Sequence, residues 1–202
     1  MFIYITRHGE TKWNDAGKTQ GVKNISLTGR GRDQANKLAR RLKNEPIQFI
    51  YSSDLKRAVE TASIIGDEIG RDYIVTPYLR EANFGGWEGY TLKEIEERYP
   101  GQLDQWYKDP DFCAPDGESI NRVKQRIKYF IDLIKKQNIK KEQGILVVSH
   151  ALTSKILITE LLGLPVSFIK KIKQSNTGLT IIQAIPDEGV LILHNDTCHL
   201  KW

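Results

Sequence analysis

Apolar residues recur with two periods along this chain. Short runs rich in β-branched and aromatic residues, at 2–6, 47–51, 72–76 and 145–148, read as strands. Between them apolar positions return every three or four residues, which is the helical period. Ala35, Leu38, Ala39 and Leu42 make one such face, opened by Thr28 and followed by Pro46. Ala58, Ala62, Ile65 and Ile69 make a second, with Ser52, Ser53 and Asp54 as candidate N-caps and Gly70 where a C-cap glycine belongs. A long third face, Ile120, Val123, Ile127, Phe130, Ile131 and Ile134, begins at Glu118 or Ser119. Leu152, Ile156, Leu157, Leu161 and Leu162 form a fourth, ending near Gly163 and Pro165. Residues 178–185 and 190–194 predict a closing pair of strands around a turn at 186–189.

Residues 80–118 break this rhythm. They concentrate Phe84, Trp87, Tyr90, Tyr99, Trp106, Tyr107 and Phe112 among glycines and prolines, and read as a lid-like insertion of loops and short helices. Strands alternating with helices predict one α/β domain over 1–202, a three-layer α/β/α sandwich on a mostly parallel open sheet. Such sheets bind ligands beyond the carboxyl ends of their strands. Here those ends are Arg7-His8-Gly9-Glu10, the segment from Ser52 to Arg57, Arg80-Glu81 and Ser149-His150. Two histidines, two or three arginines and a carboxylate are therefore expected at one edge.

That set suits phosphoryl transfer. A neutral imidazole can attack phosphorus and become phosphohistidine. Arginine forks bind equatorial phosphate oxygens two at a time, and a second histidine, if protonated, adds donors where charge develops. A carboxylic acid protonates the leaving oxygen and then takes a proton from water.

The segment 5–11, Ile-Thr-Arg-His-Gly-Glu-Thr, with Trp13-Asn14 after it, resembles the signature of the histidine phosphatase superfamily in its phosphoglycerate-mutase-like branch. The likeness continues through Gln20-Gly21, Leu27-Thr28, Gly31, Gln34-Ala35, the run from Ser52 to Ala58, Thr61-Ala62, Leu79-Arg80-Glu81, the run from Phe84 to Gly89, Gly117-Glu118-Ser119 and Val147-Val148-Ser149-His150. The resemblance implies His8 as nucleophile, Glu81 as proton donor, and Arg7, Arg57 and His150 as the phosphate pocket. It adds Asn14 as an amide donor and Ala151, where many relatives have glycine, as a backbone N–H donor. It implies no metal and no cofactor. The counterpart of the family's usual aspartate falls on Asn24, a peripheral position. The segment from Glu81 to Gly89 and the short lid resemble the phosphatase side of the branch. Substrates on that side include α-ribazole phosphate, phosphoserine and sugar or glycerate phosphates. A phosphoglycerate mutase and a non-catalytic phosphate-binding module are the alternatives.

A net charge of +5 fits either nucleic acid or an anionic small molecule. The basic residues are dispersed and the aromatics sit in a mixed-charge insertion, which argues against nucleic acid. Cys113 and Cys198 form no framework. No apolar run is long enough for a membrane span, and the first residues lack the n- and h-regions of a signal peptide, so the expected location is the cytoplasm. The sequence leaves the oligomeric state open; the closing strands and the helix before them could pair in a homodimer. His194 and His199 read as structural, and Arg80 and Arg122 as candidates to reach a charged substrate tail.

Overall fold

The computed structural model describes residues 1–137, 139–185 and 188–201. Its strands are β1 (Phe2–Arg7), β2 (Ile47–Ser53), β3 (Tyr73–Thr76), β4 (Gly144–Ser149), β5 (Leu179–Ile185) and β6 (Glu188–Asp196). Its helices are α1 (Lys12–Asp15), α2 (Gly29–Leu42), α3 (Lys56–Ile69), α4 (Leu92–Arg98), α5 (Gln102–Lys108), α6 (Ile120–Lys135) and α7 (Ala151–Leu161). The sheet order is β3-β2-β4-β1-β5-β6. The first four are parallel neighbours, while β5 and β6 run antiparallel at one edge.

Alternation along the strands builds the three layers. Ile3, Ile5, Ile145 and Val147 face α6, α7 and the insertion. Tyr4, Leu146 and Val148 face the buried stripes of α2 and α3. With both faces covered, β4 is buried at every residue, as a central parallel strand must be. The expected fold class is the observed one. Trp87, Ile95 and Trp106 of the insertion join the larger core cluster, so α4 and α5 pack on the sheet layer's own core. Among the described residues no helix is long and apolar enough to cross a membrane. The expected turn at 186–189 falls partly outside the described residues.

Caps agree with expectation at Thr28, Ser119 and Gly70, the last in the left-handed conformation. They differ at α3. None of Ser52, Ser53 and Asp54 caps this helix; its N-cap is Leu55, with no side-chain bond of its own. The serines still belong to β2, and Asp54 is held by Arg80. The cap comes from afar: Asn24 Oδ1 accepts the Lys56 N–H at 3.1 Å.

The loop after β1 is wedged against the start of α2. A Cβ on Gly9 would run into the carbonyl of Gly31, and a Cβ on Gly31 into the carbonyl of Glu10. Gly31→Ala must displace the backbone that carries His8. We expect it to lower stability by about 1–3 kcal/mol, read as a lower urea midpoint at unchanged m-value, and to reduce catalysis beyond that loss.

Candidate active site

Strand register brings the two histidines together. Arg7 ends β1 and pairs with Ser149, which ends β4. His8 and His150 are the next residues, so they stand side by side at about the interstrand spacing. Their ring centroids are 5.2 Å apart. The backbone fixes His8 further: its N–H donates to Ser149 O at 3.0 Å, and Asn176 Nδ2 donates to its carbonyl at 2.8 Å.

Hydrogen-bond logic sets the state of His8. Nδ1 lies 2.7 Å from Gly9 O, which can only accept, so Nδ1 carries the proton. Nε2 receives the Arg57 Nε–H at 3.1 Å, and guanidinium can only donate, so Nε2 presents its lone pair. Burial, Arg57 and Arg7 together push the His8 pKa well below the ordinary imidazole value. The ring is a neutral imidazole with a defined tautomer.

Arg57, 1% exposed, is locked from both sides. Its Nη1 and Nη2 donate to Lys23 O and Gly21 O, each at 2.7 Å. Burial lowers its pKa to about 10, with Glu81 opposing the shift, so it stays charged at neutral pH. Glu88 Oε1 accepts the Val22 N–H at 2.8 Å and the Phe84 N–H at 3.2 Å, tying the Arg57-binding loop to the insertion. Arg7 Nη1 donates to Gln174 O at 3.1 Å, whereas its buried Nε has no partner among the described residues.

His150 is fully buried behind His8. Its Nε2 lies 2.8 Å from Ser53 Oγ, and its Nδ1 has no partner among the described residues. Burial first, then Arg57, His8 and Arg7, hold its pKa well below the usual range. Burial, before the nearby guanidinium groups, thus disfavours the protonated form considered above while no phosphate is bound.

Glu81 follows the short turn after β3 and sits on the N-terminus of α7. Its oxygens accept the N–H groups of Leu152 and Thr153, each at 3.2 Å, and the Thr153 hydroxyl at 3.0 Å. A carboxylate is at home there. This arrangement leaves the Ala151 N–H, the first of the helix, for another acceptor. Asn14 Oδ1 is taken by the Thr11 N–H and hydroxyl and by Asn176, so its NH2 is the group left to donate.

Arg7, His8, Asn14, Arg57, Glu81 and Ala151 all line one cavity of about 220 Å³. Phe84, Trp87, Trp106 and Tyr107 of the insertion form its apolar wall. Tyr90, Tyr99 and Phe112 pack on the core instead. Arg80 and Arg122 do not line it: Arg80 pairs with Asp54, and Arg122 lies in a separate surface groove. Thr153 and Lys155 were not singled out from the sequence, and Ser53 was read there as a candidate N-cap and not as a partner of His150. Ser53 and Thr153 act through strand register and helix phase, and a lone serine or threonine carries no sequence signal for that. Among the described residues no group of three His, Cys, Asp or Glu side chains is placed to hold a metal ion.

Known proteins resemble this chain over nearly its whole length. The family profile described as Histidine phosphatase superfamily (branch 1) matches residues 3–197. Phosphoserine phosphatase 1 of Hydrogenobacter thermophilus is 32% identical over 199 residues, covering 98% of this chain and 93% of that protein. A probable phosphoglycerate mutase of Yersinia pestis is 32% identical over 208 residues, covering 98% and 94%. A mycobacterial glucosyl-3-phosphoglycerate phosphatase solved with VO3 superposes with a TM-score of 0.88 at 28% identity, covering 97% of this chain and 99% of that one. With a profile spanning nearly its whole length and relatives matched end to end, the chain belongs to branch 1 of the histidine phosphatase superfamily and is a phosphatase.

Proposed function

We propose that this enzyme hydrolyses a small-molecule phosphomonoester through a phosphohistidine on His8, without a metal ion. The observation that carries the reading is the His8 tautomer: a buried neutral ring with its Nε2 lone pair turned to a guanidinium that lines the same cavity. In the forward step Nε2 bonds to phosphorus as the ester P–O bond breaks. Arg57 Nε, released from the lone pair, moves to a phosphoryl oxygen. Arg7 Nε, Asn14, the Ala151 N–H and His150 Nδ1 complete the donor set, and a phosphate dianion is the counter-charge that favours protonating His150. Glu81 passes a proton to the leaving oxygen. In the second step Glu81 takes a proton from water, whose oxygen attacks phosphorus and frees His8. The guanidinium groups supply the positive charge that Mg²⁺ provides elsewhere.

The name of one relative raises the mutase alternative. A mutase must shield its phosphohistidine from water. The two α-helices of the insertion here are only seven residues each, and we read so short a cover as favouring the hydrolytic outcome.

Phosphate release from a panel of esters should survive EDTA. His8→Ala should lower it by about ten-thousand-fold or more, and Glu81→Gln by about 10²–10⁴-fold. Rapid quenching of Glu81→Gln at alkaline pH, followed by mass spectrometry, should find +80 Da on the His8 peptide, about the mass that replacing a hydrogen with a phosphoryl group adds. No release from any ester by folded enzyme, or release indifferent to His8→Ala, contradicts the proposal.

The histidines also tie stability to pH. The folded pKa values of His8 and His150 lie below the unfolded value of about 6.5. Below that pH the unfolded chain binds more protons, so stability is complete above about 6.5 and falls as pH drops toward the folded values. Each histidine contributes a slope of up to about 1.4 kcal/mol per pH unit. Burial shifts His194 and His199 the same way, so they add to the trend. We expect the unfolding midpoint to fall between about pH 7 and pH 5.5, and His8→Ala to flatten that slope by about one proton.

A further inference from the structure

The phosphate pocket is backed by a segment from far along the chain. Residues 174–177 cross the end of β1 just before β5 begins. Gln174 O accepts the Arg7 Nη1–H at 3.1 Å, and the Thr177 N–H donates to Arg7 O at 2.9 Å. Asn176 stands between them, paired with Arg7 in a parallel bridge. Its Nδ2 lies 2.8 Å from His8 O and 3.2 Å from Asn14 Oδ1. An amide nitrogen has two hydrogens, so one side chain serves both acceptors. The segment is seated firmly. Asn195 of β6 accepts the Ser175 N–H at 2.7 Å and donates to Ser175 Oγ at 3.2 Å. Thr177, fully buried, is held at φ 51°. A β-branched residue rarely takes that left-handed conformation, and the surrounding structure must enforce it. Such strain collects at functional sites. Here it turns the chain from Asn176, beside Arg7, into Leu179, beside Thr6.

We propose that Asn176 is a positioning residue of the phosphate pocket: one amide hydrogen holds the His8 backbone, the other holds the Asn14 amide, and nucleophile and donor are thereby fixed relative to each other. The inference rests on the phosphatase reading and adds a residue to it. Asn176 does not line the cavity, and it acts through two residues that do. The Asn14 amide is a planar group with an acceptor at one end and donors at the other. Three donors meet its Oδ1, namely the Thr11 N–H, the Thr11 hydroxyl and Asn176, and leave its NH2 to phosphate. Thr11 provides a local hold, as the N-cap of α1. Of the three donors, only Asn176 also bonds His8. Without that bridge, the separation of His8 from α1 is set by the loop 9–11 and its neighbours alone. A misplacement of about 1 Å can cost about a hundredfold in rate.

The test is a double-mutant cycle in the full-length protein, with Asn176→Ala and Asn14→Ala made singly and together. It is read as turnover of p-nitrophenyl phosphate and as calorimetric binding of vanadate, which needs no turnover. Asn176→Ala should lower kcat/KM by about 10–100-fold. In the Asn14→Ala background the same substitution should cost at least about threefold less, because one of its two targets is gone. Asn176→Asp, of nearly the same size, presents acceptors where donors belong and should be worse than Asn176→Ala. Ser175→Ala, in the same segment but without a side-chain contact to Arg7, His8 or Asn14, should stay within about twofold. Asn176→Ser, whose hydroxyl has one hydrogen to give, replaces Asn176→Ala in the cycle should the alanine variant not fold. Strictly additive losses overturn the proposal. So does an Asp variant more active than the Ala variant, the order that space filling alone would give, and so does Ser175→Ala losing as much as Asn176→Ala. Coupling in vanadate affinity, with no turnover of any ester in the panel, would uphold the positioning role and sink the phosphatase reading; turnover with additive losses in both readouts would do the reverse.

Discussion

The hydrogen bond from Arg57 to His8 is the contact on which the rest of this site depends. A guanidinium cannot accept, so its approach to Nε2 dictates where the imidazole proton sits. It also repels a second proton, which keeps the ring nucleophilic. Burying that charge without partners would cost several kcal/mol. Here two loop carbonyls hold the fork, and the site keeps a charged donor ready for phosphate. Glu88 and Asn24 serve the same end: one clips the loop that supplies the carbonyls, and the other caps the helix that carries the arginine.

The scaffold turns chain geometry into chemistry at small distances. Two parallel neighbours that end in register place two histidines 5.2 Å apart with no further device. A third strand, in register with β4 on its other side, brings Ser53 to His150. The first turn of α7 then divides its donors: two N–H groups orient Glu81, and the Ala151 N–H remains. Gly9 and Gly31 let the His8 loop and α2 approach more closely than any side chain would allow.

Much of this was legible in the sequence, because its signals are local. Strand ends, the helical stripes of 35–42 and 120–134, and the motif residues Arg7, His8, Arg57, Glu81 and His150 lie where the pattern implied. What the sequence hid was relational. Ser53 looked like a cap but remains in β2 and turns to His150. Asn24 looked peripheral, yet it caps α3 from 32 residues away. Arg80 looked available to a substrate but is spent on Asp54. Lys155 sits on a mostly apolar helix, and only the packing of α5 nearby turns its position into a cavity wall.

The central claim, that Arg57 holds His8 as a neutral Nδ1–H tautomer, is tested most directly by nitrogen-15 NMR of the histidine rings in the free enzyme. His8 should show a protonated Nδ1 and an unprotonated Nε2, and should not titrate as the pH falls through 6.5. An Nε2–H tautomer, or a His8 that titrates at or above 6.5, would contradict the account.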